Sequence, residues 1–336
     1  MQSRSLRVLI LLSVMFLFAV STPAPLVYRP GEGWSYEPAD GSGSWTRTRA
    51  KDQLEVAQQA FEEKNYKLAT KAARRVVRNW PFSDYAPEAQ YLVGRSYEER
   101  AKDEKAFKAY QELVEKYPKA ANYDEVVKRQ YAIANRYLAG QWFKLWGVIP
   151  FFSSMDKTVQ MYEKLIKNGP FSEVAPYAQM NIGAAREKQS DFPAAVKAYE
   201  TAADKYHDRR EVSADALYKA GMAYHKQAKT AEYDQSIAGQ AIATFTDFMT
   251  LYPRDTRVPE VQKLIADMRT EQARGSMIVA RFYEKKRQWE GALVYYNEVL
   301  IRDPQSMYAE EAKQRIEEIK QRLAEKQQGT LQTAQN

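Results

Sequence analysis

One fourteen-residue pattern constrains this chain more than any other. Pro81-Phe-Ser-Asp-Tyr-Ala-Pro-Glu-Ala-Gln-Tyr-Leu-Val-Gly94 returns as Pro170-Phe-Ser-Glu-Val-Ala-Pro-Tyr-Ala-Gln-Met-Asn-Ile-Gly183, with the same thirteen-residue step from Pro to Gly. A third copy, Pro304-Gln-Ser-Met-Tyr-Ala-Glu-Glu-Ala312, keeps the spacing Pro-x-Ser-x-x-Ala-x-x-Ala. Proline cannot continue a helix, a serine or acid just after it can cap a new N-terminus, and alanine at every third position lets helices sit close. Pro87 and Pro176 fall in the first turn of the new helix, where a missing N–H costs little. The pattern reads as a joint between helices, and its recurrence predicts a repeat protein.

Counting back from each helix-ending position sets the repeats in register. Small residues recur twelve apart as Ala57/Ala69, Gly94/Ala106, Gly183/Ala195 and Ala280/Ala292. Tyrosine follows the first of them by three residues at Tyr97, Tyr137, Tyr224 and Tyr283. An aromatic follows the second by four at Tyr110, Tyr199, Phe245 and Tyr296. Small residues let the two helices of a hairpin cross closely, and the aromatics are expected to fill the groove between hairpins. The spacing is that of the tetratricopeptide repeat, G-x2-Y…A-x3-F…P over about 34 residues.

Units end at Pro81, Pro118, Pro170, His207, Pro253 and Pro304. Two carry insertions, since Ala134 to Thr158 and Gly221 to Ala241 span 24 and 20 residues rather than twelve. The expected fold is all-α: a right-handed superhelical solenoid of about five to six helix hairpins with a C-terminal capping helix over Glu311–Gln327.

Ahead of the repeats, Arg4 and Arg7 precede thirteen uncharged residues, Val8–Val20. That run is short for a membrane span and fits a secretory signal over 1–21, or an uncleaved anchor. Residues 22–49, rich in Pro, Gly and Ser, are read as a flexible linker, 50–327 as the solenoid and 328–336 as a disordered tail.

Composition narrows the chemistry. With no cysteine, disulfides, thiol nucleophiles and zinc–cysteine sites are excluded. The two histidines, His207 and His225, lack the spacing of a metal pair, and no phosphate loop, nucleophile elbow or calcium loop occurs. No enzyme activity, cofactor or metal is expected. The net charge of +7 belongs to a chain rich in both signs, and no concentrated basic stripe stands out along it, so nucleic acid is not an expected partner.

What remains is a binding scaffold whose inner wall is lined by first-helix positions such as Gln90, Arg95, Asn135 and Asn181. The first insertion crowds Trp142, Phe143, Trp146, Phe151 and Phe152 into eleven residues. It is expected either to fold back on the repeats or to meet a partner or membrane.

These repeats resemble the BamD family, the tetratricopeptide component of the bacterial outer-membrane β-barrel assembly machine. The likeness rests on the Pro-x-Ser joints and, more specifically, on Ile278-Val-Ala-Arg-Phe-Tyr-Glu-Lys-Lys-Arg-Gln-Trp-Glu-Gly-Ala-Leu-Val-Tyr-Tyr-Asn297. Upstream, Ala241-Ile-Ala-Thr-Phe-Thr-Asp-Phe248 and Tyr252-Pro253 are similar to that family's penultimate unit. The resemblance implies a periplasmic adaptor at the periplasmic face of the outer membrane. Its partners would be the β-barrel insertase, related subunits and unfolded outer-membrane protein segments, with peripheral contact to the membrane. It would place Arg269, Arg274 and Arg281 near the insertase-facing side. Two features depart from the family: its lipid-bearing cysteine has no counterpart here, and six units are counted where five are usual. The other reading of the same physical kind is a periplasmic scaffold for cell-envelope or cell-division complexes.

Overall fold

The computed structural model describes residues 26–29, 33–36, 45–120, 122–145, 149–152, 154–230 and 235–335. Thirteen helices dominate them. The helices pair in chain order as α1 (Ala50–Glu62) with α2 (Tyr66–Asn79), α3 (Ala86–Glu98) with α4 (Asp103–Lys116), and α5 (Tyr123–Leu138) with α6 (Met155–Asn168). There follow α7 (Ala175–Lys188) with α8 (Phe192–Lys205), α9 (Arg210–Thr230) with α10 (Gln235–Leu251), α11 (Val258–Lys285) with α12 (Trp289–Arg302), and a closing α13 (Ala309–Gln335). The chain divides into two compact units, Met1–Val126 and Val127–Asn336. Within each unit, successive helices pack on their chain neighbours, as a tetratricopeptide array requires.

At the ends, two sequence expectations meet a different outcome and a third is not tested. The expected secretory signal lies outside the described residues. Within the stretch read as linker, β1 (Leu26–Arg29) and β2 (Gly33–Tyr36) pair antiparallel, Leu26 opposite Tyr36. Pro30-Gly31 between two β-prone runs is a hairpin signal that the Pro/Gly composition hid. At the other end α13 continues to Gln335, through the expected disordered tail, because Ala, Gln, Lys and Leu hold a helix and one Gly does not end it.

The joints work differently from the sequence reading. The serine does not cap the following helix. Its hydroxyl donates backward to the carbonyl three residues before it: Ser83 to Trp80 (2.9 Å), Ser172 to Gly169 (2.7 Å) and Ser306 to Asp303 (2.9 Å). The backbone there makes two successive turns, Ser83 N–H to Trp80 O and Ala86 N–H to Ser83 O, repeated at Ser172/Ala175 and Ser306/Ala309. The hydroxyl thus ties down a carbonyl that the ending helix leaves over. The alanines behave as expected, with Ala86, Ala89, Ala175, Ala178 and Ala312 completely buried.

Within each hairpin the register has one mechanical core. A methyl group on Gly94 would lie 2.3 Å from Tyr110 Cε1, on Gly183 2.4 Å from Tyr199 Cε1, and on Gly221 2.5 Å from Phe245 Cε1. The aromatic therefore lies on the glycine of its own hairpin rather than between hairpins, and all three rings are fully buried. Each phenol then needs an acceptor. Tyr110 donates to Glu98 (2.8 Å), Tyr199 to Glu187 (3.2 Å) and Tyr296 to Glu284 (2.5 Å), the acid always one turn after the small residue. Burial first, and the neighbouring Glu284 second, push the Tyr296 phenol up to about 12. The helix-to-helix turn also repeats: Lys64, Ala101, Ser190 and Arg287 all take the left-handed conformation. Asn65 and Asp191, next in line, accept from the N–H groups of Leu68 and Ala194. We expect Gly94→Ala and Gly183→Ala each to destabilise by about 1–3 kcal/mol through overpacking, read as a lower denaturant midpoint.

The fifth joint replaces serine by an acid. Asp255 accepts from Arg257 Nε and Nη2, both 2.9 Å, and Arg257 Nη1 reaches Asp215 of α9 at 2.9 Å. The guanidinium also covers Tyr218, 4.6 Å from its ring centre. Hydrogen bonds from Arg257 hold the Asp255 carboxyl below its ordinary value of 3.8. A depressed carboxylate stabilises the fold above its unfolded-state pKa, and that contribution is lost as pH falls through the folded one. Asp255→Asn is expected to cost about 1 kcal/mol at neutral pH, a modest figure because the pair is partly open to water. The gap to wild type should close as denaturation is repeated at pH values falling below 3.8.

Candidate functional site

Because most positions that recur between the repeats are absorbed by the register above, candidate sites are what the register leaves over. In the C-terminal unit this is the exposed face of α11. Its length of 28 residues, twice that of α12, carries it past the packing a repeat requires. Ile278 and Phe282 are about half exposed on it, at 52% and 56%, one turn apart. Arg274 and Arg281 flank Ile278 at helical spacing, four residues before it and three after it. Arg274 is held by Glu271, and Arg281 grips the Glu311 carboxylate of α13 through Nη2 at 2.7 and 2.6 Å. Arg269 is exposed on the same helix. The three arginines expected on a partner side thus share one helix, two of them already oriented by acids of the fold.

Beside this face lies a cavity of about 530 Å³, walled by α9, the start of α10 and α11, with Arg274 and Ile278 on its wall. His225 lines it. This residue occupies the register position that Glu98, Glu187 and Glu284 hold elsewhere, four after the small residue Gly221. The exchange follows from its partner: Phe245 has no hydroxyl, so no acceptor is needed. Burial, reinforced by Lys229 and opposed by Asp267, holds the His225 imidazole below its ordinary value. Lys229, Asp267 and Glu271 bring both signs of charge to the cavity, and Leu264 and Met268 its apolar surface. Among the described residues no group of three or more potential metal ligands occurs, and no helix is long and apolar enough to cross a membrane.

The aromatic insertion is a hairpin. β3 (Phe143–Leu145) pairs antiparallel with β4 (Ile149–Phe152), which carries Phe151, and Phe143 lies opposite Phe152 with a register shift beside it. Phe143 is withdrawn from any partner surface: it is buried and stacks on Tyr137 of α5, ring centres 4.2 Å apart, under the Lys157 ammonium. Trp142 next to it is 54% exposed, and Trp146 lies outside the described residues.

First-helix polar residues prove mostly structural. Gln90 is buried and donates to the Ala109 carbonyl at 2.8 Å. Arg95 lies along Phe61 and Tyr91 and pairs with Glu99 at 3.6 Å. Asn181 and Tyr162 both donate to Asn135 Oδ1, at 2.9 and 2.6 Å, closing a polar link between α5, α6 and α7. Here tyrosine again needed an acceptor, and asparagine supplied it where Leu138 fills the glutamate position.

Two features escaped the sequence reading. Phe82 and Phe171, which follow the joint prolines, are 99% and 94% exposed and add nothing to the core. And the expectation that the chain has no concentrated basic stripe is overturned in the N-terminal unit. There α2, α3 and α4 line a groove of about 1150 Å³ bearing nine Lys or Arg and a single carboxylate, Glu112. Eight of the cations are spread at helical spacing over α2 and α4, with Arg100 in the turn after α3, so they form no run along the chain.

Residues 153–303, from the approach to α6 through the end of α12, match the YfiO family, described as outer membrane lipoprotein. Residues 88–120, which span α3 and α4, match a tetratricopeptide repeat family. The fold is that of a tetratricopeptide-repeat interaction scaffold. Solved structures similar to it share little sequence. They include the C-terminal part of a TPR repeat-containing protein from Cytophaga hutchinsonii, with 15% identity, 80% of this chain and 88% of that one covered and a TM-score of 0.36. Others are MamA from Desulfovibrio magneticus RS-1, with 13% identity, 62% and 98% covered and a TM-score of 0.32, and a tetratricopeptide repeat protein from Parabacteroides merdae ATCC 43184, with 10%, 80%, 98% and 0.32. No curated protein matches this chain.

The insertion separates by substitution. Phe143→Ala should cost about 3 kcal/mol, as a buried stacked ring does, while Trp142→Ala should stay within about 0.5 kcal/mol. Thermal or denaturant unfolding of both variants checks the difference.

Proposed function

We propose that this protein is a non-catalytic adaptor of the machinery that assembles outer-membrane β-barrel proteins, acting in the periplasm at the periplasmic face of the outer membrane. The observation that carries the reading is the match of residues 153–303 to an outer-membrane lipoprotein family, a span that contains the whole of α11. Its exposed face combines what a protein interface uses: an apolar pair, Ile278 and Phe282, flanked by arginines pre-oriented by Glu271 and Glu311. In this reading α11 meets the periplasmic domains of the β-barrel insertase. The BamD-like character of the Ile278–Asn297 run supports the same partner, and unfolded outer-membrane protein segments would be received elsewhere on the scaffold.

Crosslinked capture from membranes tests this. The insertase is expected among the recovered proteins, and Ile278→Asp with Phe282→Asp should reduce its recovery by about tenfold while circular dichroism stays unchanged, since both side chains are half exposed. Recovery of cell-division or peptidoglycan factors without the insertase would replace this reading by the envelope-scaffold one.

A further inference from the structure

The basic groove of the N-terminal unit has a chemistry that the repeat fold does not require. On α2, Lys67, Lys71, Arg74 and Arg78 project into it at steps of four, three and four residues. On α4, Lys105, Lys108 and Lys116 do the same, with Glu112 between them. None of the nine cations lining the groove forms an ion pair within the described residues, although ion pairs are common elsewhere in the protein. Holding this many like charges side by side is unfavourable unless something neutralises them. One donor is more than unpaired: Arg75 Nε is buried in the structure and has no hydrogen-bond acceptor. A buried unsatisfied donor of this kind points to a missing acceptor.

The shape and the floor narrow what the missing acceptor belongs to. Each basic stripe covers eleven residue steps, from 67 to 78 and from 105 to 116, which is about 16 Å of helix, the length of about five extended residues. Between the stripes, α3 contributes Val93 and Tyr97, joined by Val77 and Ala109, so the floor is apolar. A sugar–phosphate chain would leave that floor uncovered, and one face of the Trp45 ring, where a base would stack, is already taken by the Lys71 ammonium at 4.4 Å. A flat bilayer surface would not enter a groove. We infer that this groove binds an extended polypeptide segment in which Asp or Glu alternates with apolar side chains, the carboxylates meeting the lysine and arginine walls and the apolar side chains the floor. This site stands apart from the α11 face and holds whether or not the assembly reading does.

Binding of fluorescein-labelled peptides to the full-length protein, followed by anisotropy, tests it. The probe is a peptide of about twelve residues alternating Glu with Leu or Val, and its control carries Gln in place of Glu. The Glu peptide is expected to bind at least about tenfold more tightly than the Gln peptide and to weaken steeply with salt. Arg74→Glu with Arg78→Glu and Lys108→Glu should reduce affinity at least about tenfold; Lys197→Glu with Lys263→Glu and Lys285→Glu, the same charge change in the other unit, should leave it unchanged. All six side chains are exposed, so folding is expected to persist and circular dichroism verifies it. Equal weakening by both triple variants would overturn the site. So would stronger competition from phosphatidylglycerol vesicles or from oligo-dT than from the unlabelled Glu peptide at equal charge.

Discussion

Everything in this array depends on how closely two helices of one hairpin approach. At Gly94, Gly183 and Gly221 the aromatic ring sixteen or more residues later occupies the space a methyl group would take. That contact sets the crossing of the two helices, buries a large ring per hairpin, and creates a secondary demand: a buried phenol must find an acceptor. Glutamate one turn on, or asparagine at Asn135, meets it. Even the exception obeys the rule, because the hairpin with Phe245, a ring with no hydroxyl, places a histidine where Glu98, Glu187 and Glu284 stand in three others.

Most of the fold was legible because this chain repeats one physical solution. Helix positions, hairpin count and the closing helix follow from period and punctuation, and the structure adds the sense of the contacts. It was not legible that Ser83, Ser172 and Ser306 bond backward, since either direction satisfies the same spacing. Nor could composition distinguish a true linker from one holding the β1–β2 pair, since Pro and Gly mark hairpin turns as well as flexible chain.

The sites were less legible than the fold, for a specific reason. A residue's type tells its chemistry, while its use depends on neighbours that only the folded chain supplies. Gln90 looked like a wall residue and is a buried tie to Ala109. Phe143 looked like a contact and is core, whereas its neighbour Trp142 remains exposed. Conversely, lysines and arginines that are unremarkable one at a time become a groove once α2 and α4 stand beside α3. Helical spacing was visible all along, but a charge search along the chain weighs runs, and a helix distributes a face over every third and fourth residue.

The joints carry a further consequence. Three are closed by a serine hydroxyl, which has no charge to lose between acid and neutral pH. The one before α11 is closed by Asp255 and Arg257, tied on to Asp215 of α9. In a one-dimensional array where each hairpin leans mainly on its neighbours, a seam closed by a partly buried ion network rather than a neutral hydroxyl makes opening uneven. Acid would then part α11 and its followers from α9 and α10 as a cooperative block before the serine-closed seams yield. The molecule has, in effect, a chosen breaking line.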